Sequence, residues 1–213
     1  MLTRSAISKV FDDVDSRELL TEALQYACKL GLGLVPDRHD DFLRAYISLS
    51  QGRKVFRLFK FVPELLKVSD TDSRDILSLL KGGKHIAIAV FLLMDHYVWL
   101  LQSALAHPRT ELSPPKSMKH RAALIASVLG ALIDLIEMQR IVQKERERQI
   151  EPAEKSKQFR TSCRIALHVL RFWLTLHKLN ITLVGRQESW GPVKAGLIGL
   201  TTACLGLWTR IDN

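Results

Sequence analysis

At 213 residues the chain is long enough for one domain, or two at most, with a sizeable core. A quarter of it is charged (25%), yet the mean hydropathy is slightly positive at +0.04, so the apolar residues are bunched, which points to membrane contact or a very apolar bundle. The formal charge of +9 is unevenly spread: residues 1–43 carry 5 basic and 8 acidic side chains, whereas residues 44–67 carry 6 and 1, so the chain is not a uniform polycation.

The N-terminal stretch "MLTRSAISKVFDDVDSRELL" lacks a continuous apolar run, which argues against a secretory signal peptide. Helical periodicity dominates the whole chain, with no strong strand pattern and no internal repeat. The first helix is predicted over "DSRELLTEALQYACKLG", with Asp15 and Glu18 spaced as a capping box and Gly31 as the stop. A second helix is expected from about Asp40 to Ser50, and the segment "GRKVFRLFKFVPELLK" then opens at Gly52. "SDTDSRDILSLLKGG" predicts a short capped helix ended by Gly82 and Gly83.

The apolar run of residues 85–106 is long enough to cross a hydrocarbon layer, although Asp95, His96 and Gln102 interrupt it. "HPRTELSPPKSMKHR" predicts a linker. "AALIASVLGALIDLIEMQRIVQKERERQIE" begins apolar and ends as a charged helix broken at Pro152. "FRTSCRIALHVLRFWLTLHKLNITLVG" predicts an amphipathic helix with a wide apolar face, and "RQESWGP" a turn. In the final segment Gly191, Ala195, Gly199 and Ala203 recur every four residues, the spacing that lets membrane helices approach closely; the competing reading is a tightly packed bundle helix. Lys194 and Arg210 could snorkel from its two ends. The expected division is 1–107 for an N-terminal helical region, 108–190 for long amphipathic helices and 191–208 for a C-terminal membrane segment.

The segment Gly52–Lys67 is the strongest functional candidate. On a helix Arg53, Arg57, Lys60 and Lys67 share a stripe with Glu64, while Val55, Leu58, Phe59 and Val62 fall on the opposite arc; Lys54 flanks the apolar side. Cations opposite bulky apolar groups suit an anionic membrane surface, where such a helix acts as a wedge that expands one leaflet. Packing on the protein's own core is the bland alternative. Nucleic acid is a third surface, but no zinc-finger spacing, RNP-type motif or helix-turn-helix supports it. Pro63 is expected to bend the helix.

"GRKVFRLFKFVPELL" resembles the N-terminal signature of the peroxin-eleven family of peroxisomal membrane proteins. "FLLMDHYVWLLQSAL" resembles the family's central apolar stretch, and "GLIGLTTACLGLW" its Gly-rich C-terminal membrane segment. The three stand in the family's order and span Arg44 to Trp208. Pro63, and His96 in place of an expected Asn, depart from the pattern. The resemblance implies a peroxisomal membrane protein with cytosolic termini that binds acidic phospholipid, tubulates the membrane, self-associates and engages dynamin-type fission machinery.

No catalytic or cofactor motif is present. "DRHDD" (Asp37–Asp41) is expected to be solvated rather than metal-binding. Asp95 and His96 point about 100° apart on a helix and do not form a dyad. His168 and His177 are not at a chelating spacing. Trp99, Trp173, Trp190 and Trp208 mark either membrane interfaces or core anchors. The reading is therefore an all-α, membrane-associated helical bundle with a basic amphipathic helix and a C-terminal apolar helix. It is a non-enzymatic remodeller of the peroxisomal membrane, with no metal, cofactor or nucleic acid, and works as a homo-oligomer on anionic lipid. The alternative is a metabolite pore lined by Asp95, His96 and Gln102.

Overall fold

The computed structural model describes residues 13–69, 75–102, 113–147, 152–179 and 191–211. Among them are seven α-helices and one 3-10 helix, Pro36–Arg38, with no strand. The helices are α1 (Val14–Leu34), α2 (His39–Phe56), α3 (Phe61–Ser69), α4 (Ile76–Gln102), α5 (Ser113–Glu147), α6 (Pro152–Leu179) and α7 (Pro192–Ile211). The all-α, membrane-associated class read from the periodicity is the class observed. The chain divides into two compact units, one of residues 1–58 and 176–213 and one of residues 59–175.

In the first unit α1 is sandwiched between α2 and α7. Its N-cap is Asp13, whose carboxylate accepts from the backbone N–H of Asp15 and Ser16. The expected cap, Asp15, lies inside the first turn instead. Partial burial works against ionisation of Asp13. The hydrogen bonds from Ser16 and Asp15 and the Arg210 charge outweigh it and hold the carboxyl below its ordinary value. Gly31 does not end α1, which runs on to Leu34; it is buried under the ring of Phe42, where a side chain would collide. Helix α2 likewise passes through Gly52 and ends only at Phe56.

The α1–α7 contact is antiparallel and depends on small residues. Gly196 lies against the Leu30 backbone, Gly199 against the Tyr26 ring and Gly206 against Leu19, so α7 descends as α1 rises. A Cβ at Gly196 would stand 2.8 Å from the Leu30 nitrogen. Ala195, Thr202 and Ala203 are buried on α7. Arg210 closes the end of this contact on Asp13 (2.7 Å) and Asp15.

In the second unit α4 and α5 form an antiparallel pair. Lys119 donates to Asp95 at 3.0 Å towards one end, and Lys81 stands 4.0 Å from Glu137 towards the other. Gly82 and Gly83 do not stop a helix as the sequence suggested. Gly82 is buried in the α4 interior, and a Cβ on Gly83 would touch Leu129 of α5. Glycine costs about 1 kcal/mol in a helix interior, which close approach of two long apolar helices can offset. Pro114 and Pro115 sit in the first turn of α5 rather than in a linker, where their missing N–H groups have no helical partner to lose. Pro152 opens α6, which packs on α5 through Arg164 to Asp134 (3.2 Å) and Glu137 (2.7 Å), and through the His168 ring over Gly130.

Candidate membrane interface

The segment Gly52–Lys67 is not one helix. Helix α2 ends at Phe56, residues 57–60 form a turn, and α3 starts at Phe61. Phe59 has a φ of 59°, the left-handed conformation that costs a non-glycine residue about 1–2 kcal/mol. Pro63 supplies the reason. In a continuous helix its ring would strike the carbonyl four residues earlier, that of Phe59. The chain therefore turns at that residue, and Pro63 falls in the first turn of α3, where it is tolerated. The bend expected at the proline appears four residues ahead of it.

The cations of the segment are not displayed as a free stripe. Arg53 is 8% exposed; it donates to Gln25 Oε1 at 2.8 Å and meets Glu22 at 2.9 Å and Glu18 at 3.8 Å. Arg57 Nε donates to Glu18 at 2.5 Å. Lys67 pairs with Glu64 at 2.6 Å. Burial raises the Glu64 pKa, but hydrogen bonds from Lys67 and His85 outweigh it and leave the carboxyl below its ordinary value. Lys54 and Lys60 are half-buried. The apolar members do the opposite. Val55, Leu58, Phe59 and Val62 are exposed, Phe59 at 71%, and α3 adds exposed Leu65 and Leu66.

Among the described residues, two helices are long and apolar enough to cross a membrane, at Ile76–Gln102 and Pro114–Lys144, and only 28% of each apolar stretch is buried. The core helix of a water-soluble bundle would bury most of such a stretch. On α4 the outward residues Leu79, Ile86, Leu93, Tyr97 and Leu100 keep helical spacing, and on α5 Met118, Ile125, Val128, Leu132 and Leu135 do the same. The apolar helix expected at 85–106 begins earlier, at Ile76; residues 103–106 lie outside the described ones. The C-terminal membrane segment expected at 191–208 is not among these two helices, which instead include the apolar start of α5. Of the four small residues singled out in the final segment, Ala195, Gly199 and Ala203 are buried on α7 in the first unit, and Gly199 faces Tyr26. Gly191 is exposed with open space around it.

Asp95 is 3% exposed and faces Lys119 of the neighbouring helix, which covers this carboxylate. In "DRHDD", His39 stands 3.5 Å from Asp40 and Arg38 3.4 Å from Asp41, all at the surface. No group of three or more metal-ligating residues converges among the described residues. Trp173 is exposed on α6, Trp99 and Trp208 are half-buried, and Trp190 lies outside the described residues.

Glu22 and Gln25 had no place in the sequence reading, and Glu18 entered it only as part of a capping box, although a signal for the pairing existed. Glu18 and Glu22 are four residues apart, as are Arg53 and Arg57, so each pair lies on one helix face with matching pitch.

The model of the family described as Peroxisomal biogenesis factor 11 (PEX11) matches residues 5–211. The chain belongs to the PEX11 family. It is 26% identical over 136 residues to "Peroxisomal membrane protein 11-1" of Oryza sativa subsp. japonica, covering 62% of this chain and 56% of that protein. It is 34% identical over 94 residues to "Peroxisomal membrane protein 11D" of Arabidopsis thaliana, covering 43% of this chain and 39% of that protein. The matched part of this PEX11 chain thus spans about half or less of these curated relatives. No solved structure matches it.

Proposed function

We propose that this chain is a peroxisomal membrane protein that acts in peroxisome biogenesis and proliferation by deforming the bilayer that holds it. The observation that carries the reading is the family match over residues 5–211. The names of the rice and Arabidopsis relatives support the compartment. The α4–α5 pair is the anchor, with lipid covering the outward Leu, Ile and Val side chains that the protein leaves bare. Two crossings return the chain to the side from which it entered, so both ends share one face, taken in this reading as the cytosolic one. The exposed apolar residues of Val55–Leu66 enter the acyl boundary, and Arg53, Lys54, Arg57, Lys60 and Lys67 answer anionic headgroups. Self-association and engagement of dynamin-type fission machinery complete the reading.

A tagged full-length chain should coincide with a peroxisomal marker and stay in the membrane pellet after alkaline carbonate extraction. Recovery in the supernatant would remove the α4–α5 anchor. The purified chain reconstituted into vesicles containing phosphatidylserine should draw them into tubules. Vesicles that remain spherical at every protein density would remove the deforming activity and leave only the anchor.

A further inference from the structure

The guanidiniums best placed to meet headgroup oxygens are turned inward. Arg53 lies between Glu22, Glu18 and Gln25, and Arg57 is held by Glu18. All four charged side chains belong to the first unit and are at most 16% exposed. Glu18 touches both arginines, so neither leaves without changing the other's surroundings. The apolar side chains on the same stretch, Val55 and Leu58, are meanwhile exposed. The segment therefore shows its apolar half while its two arginines are neutralised from within.

Carboxylates four residues apart on α1 offer guanidiniums what phosphate and carboxylate headgroups offer: anionic oxygens in planar pairs. Stripping one partner from a part-buried ion pair is strongly unfavourable; a headgroup anion gives each guanidinium a new partner, and the departing segment opens Glu18 and Glu22 to water. A neutral bilayer offers no such exchange and an anionic one does. We propose that Glu18 and Glu22 are a built-in competitor for the anionic headgroup, an autoinhibitory clasp that releases Arg53 and Arg57 together only onto a bilayer of sufficient negative charge. This rests on the reading of Gly52–Lys67 as a lipid-binding segment. The clasp makes that segment a threshold sensor of surface charge, because the shared Glu18 couples the two arginines.

The test uses the full chain with Cys28, Cys163 and Cys204 replaced by Ser and a polarity-sensitive dye on Val55→Cys. It is reconstituted into phosphatidylcholine vesicles with a rising share of phosphatidylserine. A blue shift marks the entry of position 55 into lipid, and the phosphatidylserine share at half-shift is the readout. Glu18→Gln/Glu22→Gln should lower that midpoint several-fold, on the scale of about fivefold per released cation. Glu22→Gln alone, which leaves the shared Glu18 in place, should lower it less, and it decides the matter if the double variant loses helicity by circular dichroism. Midpoints equal to the parent's would overturn the clasp while leaving lipid binding in place. No blue shift at any phosphatidylserine content in parent or variants, with Arg53→Gln/Arg57→Gln indistinguishable from both, would overturn the lipid-binding reading and the clasp with it.

Discussion

Helices α4 and α7 are both apolar and both carry glycines, yet the structure uses them in opposite ways. In α7 the small residues are spent on α1: Gly196, Gly199 and Gly206 admit Leu30, Tyr26 and Leu19, and Ala195 and Ala203 are buried. In α4 the small residues serve the approach of α5, but large side chains such as Leu79, Leu93 and Leu100 remain outside. Apolar composition alone therefore does not identify a membrane span. What matters is whether large apolar side chains are left over once the helix has met its protein neighbours.

The sharpest way to break this contrast is to place a charge on each outer face. Leu93→Lys and Leu132→Lys should each oppose insertion by about 3 kcal/mol at mid-span and reduce the carbonate-resistant fraction. Leu197→Lys, on the 51% exposed outer side of α7, should change that fraction little, since surface substitutions usually stay within about 0.5 kcal/mol. Equal losses at all three positions would mean that α7 also lies in lipid. A smaller effect tests the inner face of α7. Gly199→Leu drives a side chain into the Tyr26 ring and should destabilise the first unit by about 1–3 kcal/mol, seen as an earlier thermal loss of helicity, whereas Gly191→Ala should be silent because the space around it is open. The smallest effect is at the cap. Asp13→Ala should cost about 1 kcal/mol. Because the folded-state pKa of Asp13 is below its ordinary 3.8, its contribution is present above that value and fades as pH falls through the folded pKa. The parent should therefore lose its advantage over the variant on acidification below about pH 4, as read by helicity melts across pH.

The helical class, the apolar run of α4 and the ambiguity of Gly52–Lys67 were all legible in the sequence, because periodicity and composition are local. Helix ends were less so. Gly31, Gly52, Gly82 and Gly83 were read as stops or starts, and all four lie inside helices. At Gly31 and Gly83 the reason is tertiary: their missing Cβ admits Phe42 or Leu129, contacts that no local rule contains. The candidate site was half legible. The stripe of cations was visible, but their partners Glu18 and Glu22 lie on another helix, far back along the chain. The turn at Phe59 was foreshadowed by Pro63 but displaced to the residue whose carbonyl the ring excludes.

The α1–α7 contact also has a consequence in time. Arg210 reaches Asp13 across 197 residues of sequence, and Gly196 and Gly206 meet helix α1 near the opposite end of the chain. A ribosome releases α1 long before α7, so Leu19, Tyr26 and Leu30 emerge without the surface that covers them. The α4–α5 pair draws its contacts from residues 76–147 and can close while synthesis continues, whereas the first unit must wait for α7. Until then the side of α1 that carries these residues stays open to solvent, and its burial under α7 ends that exposure.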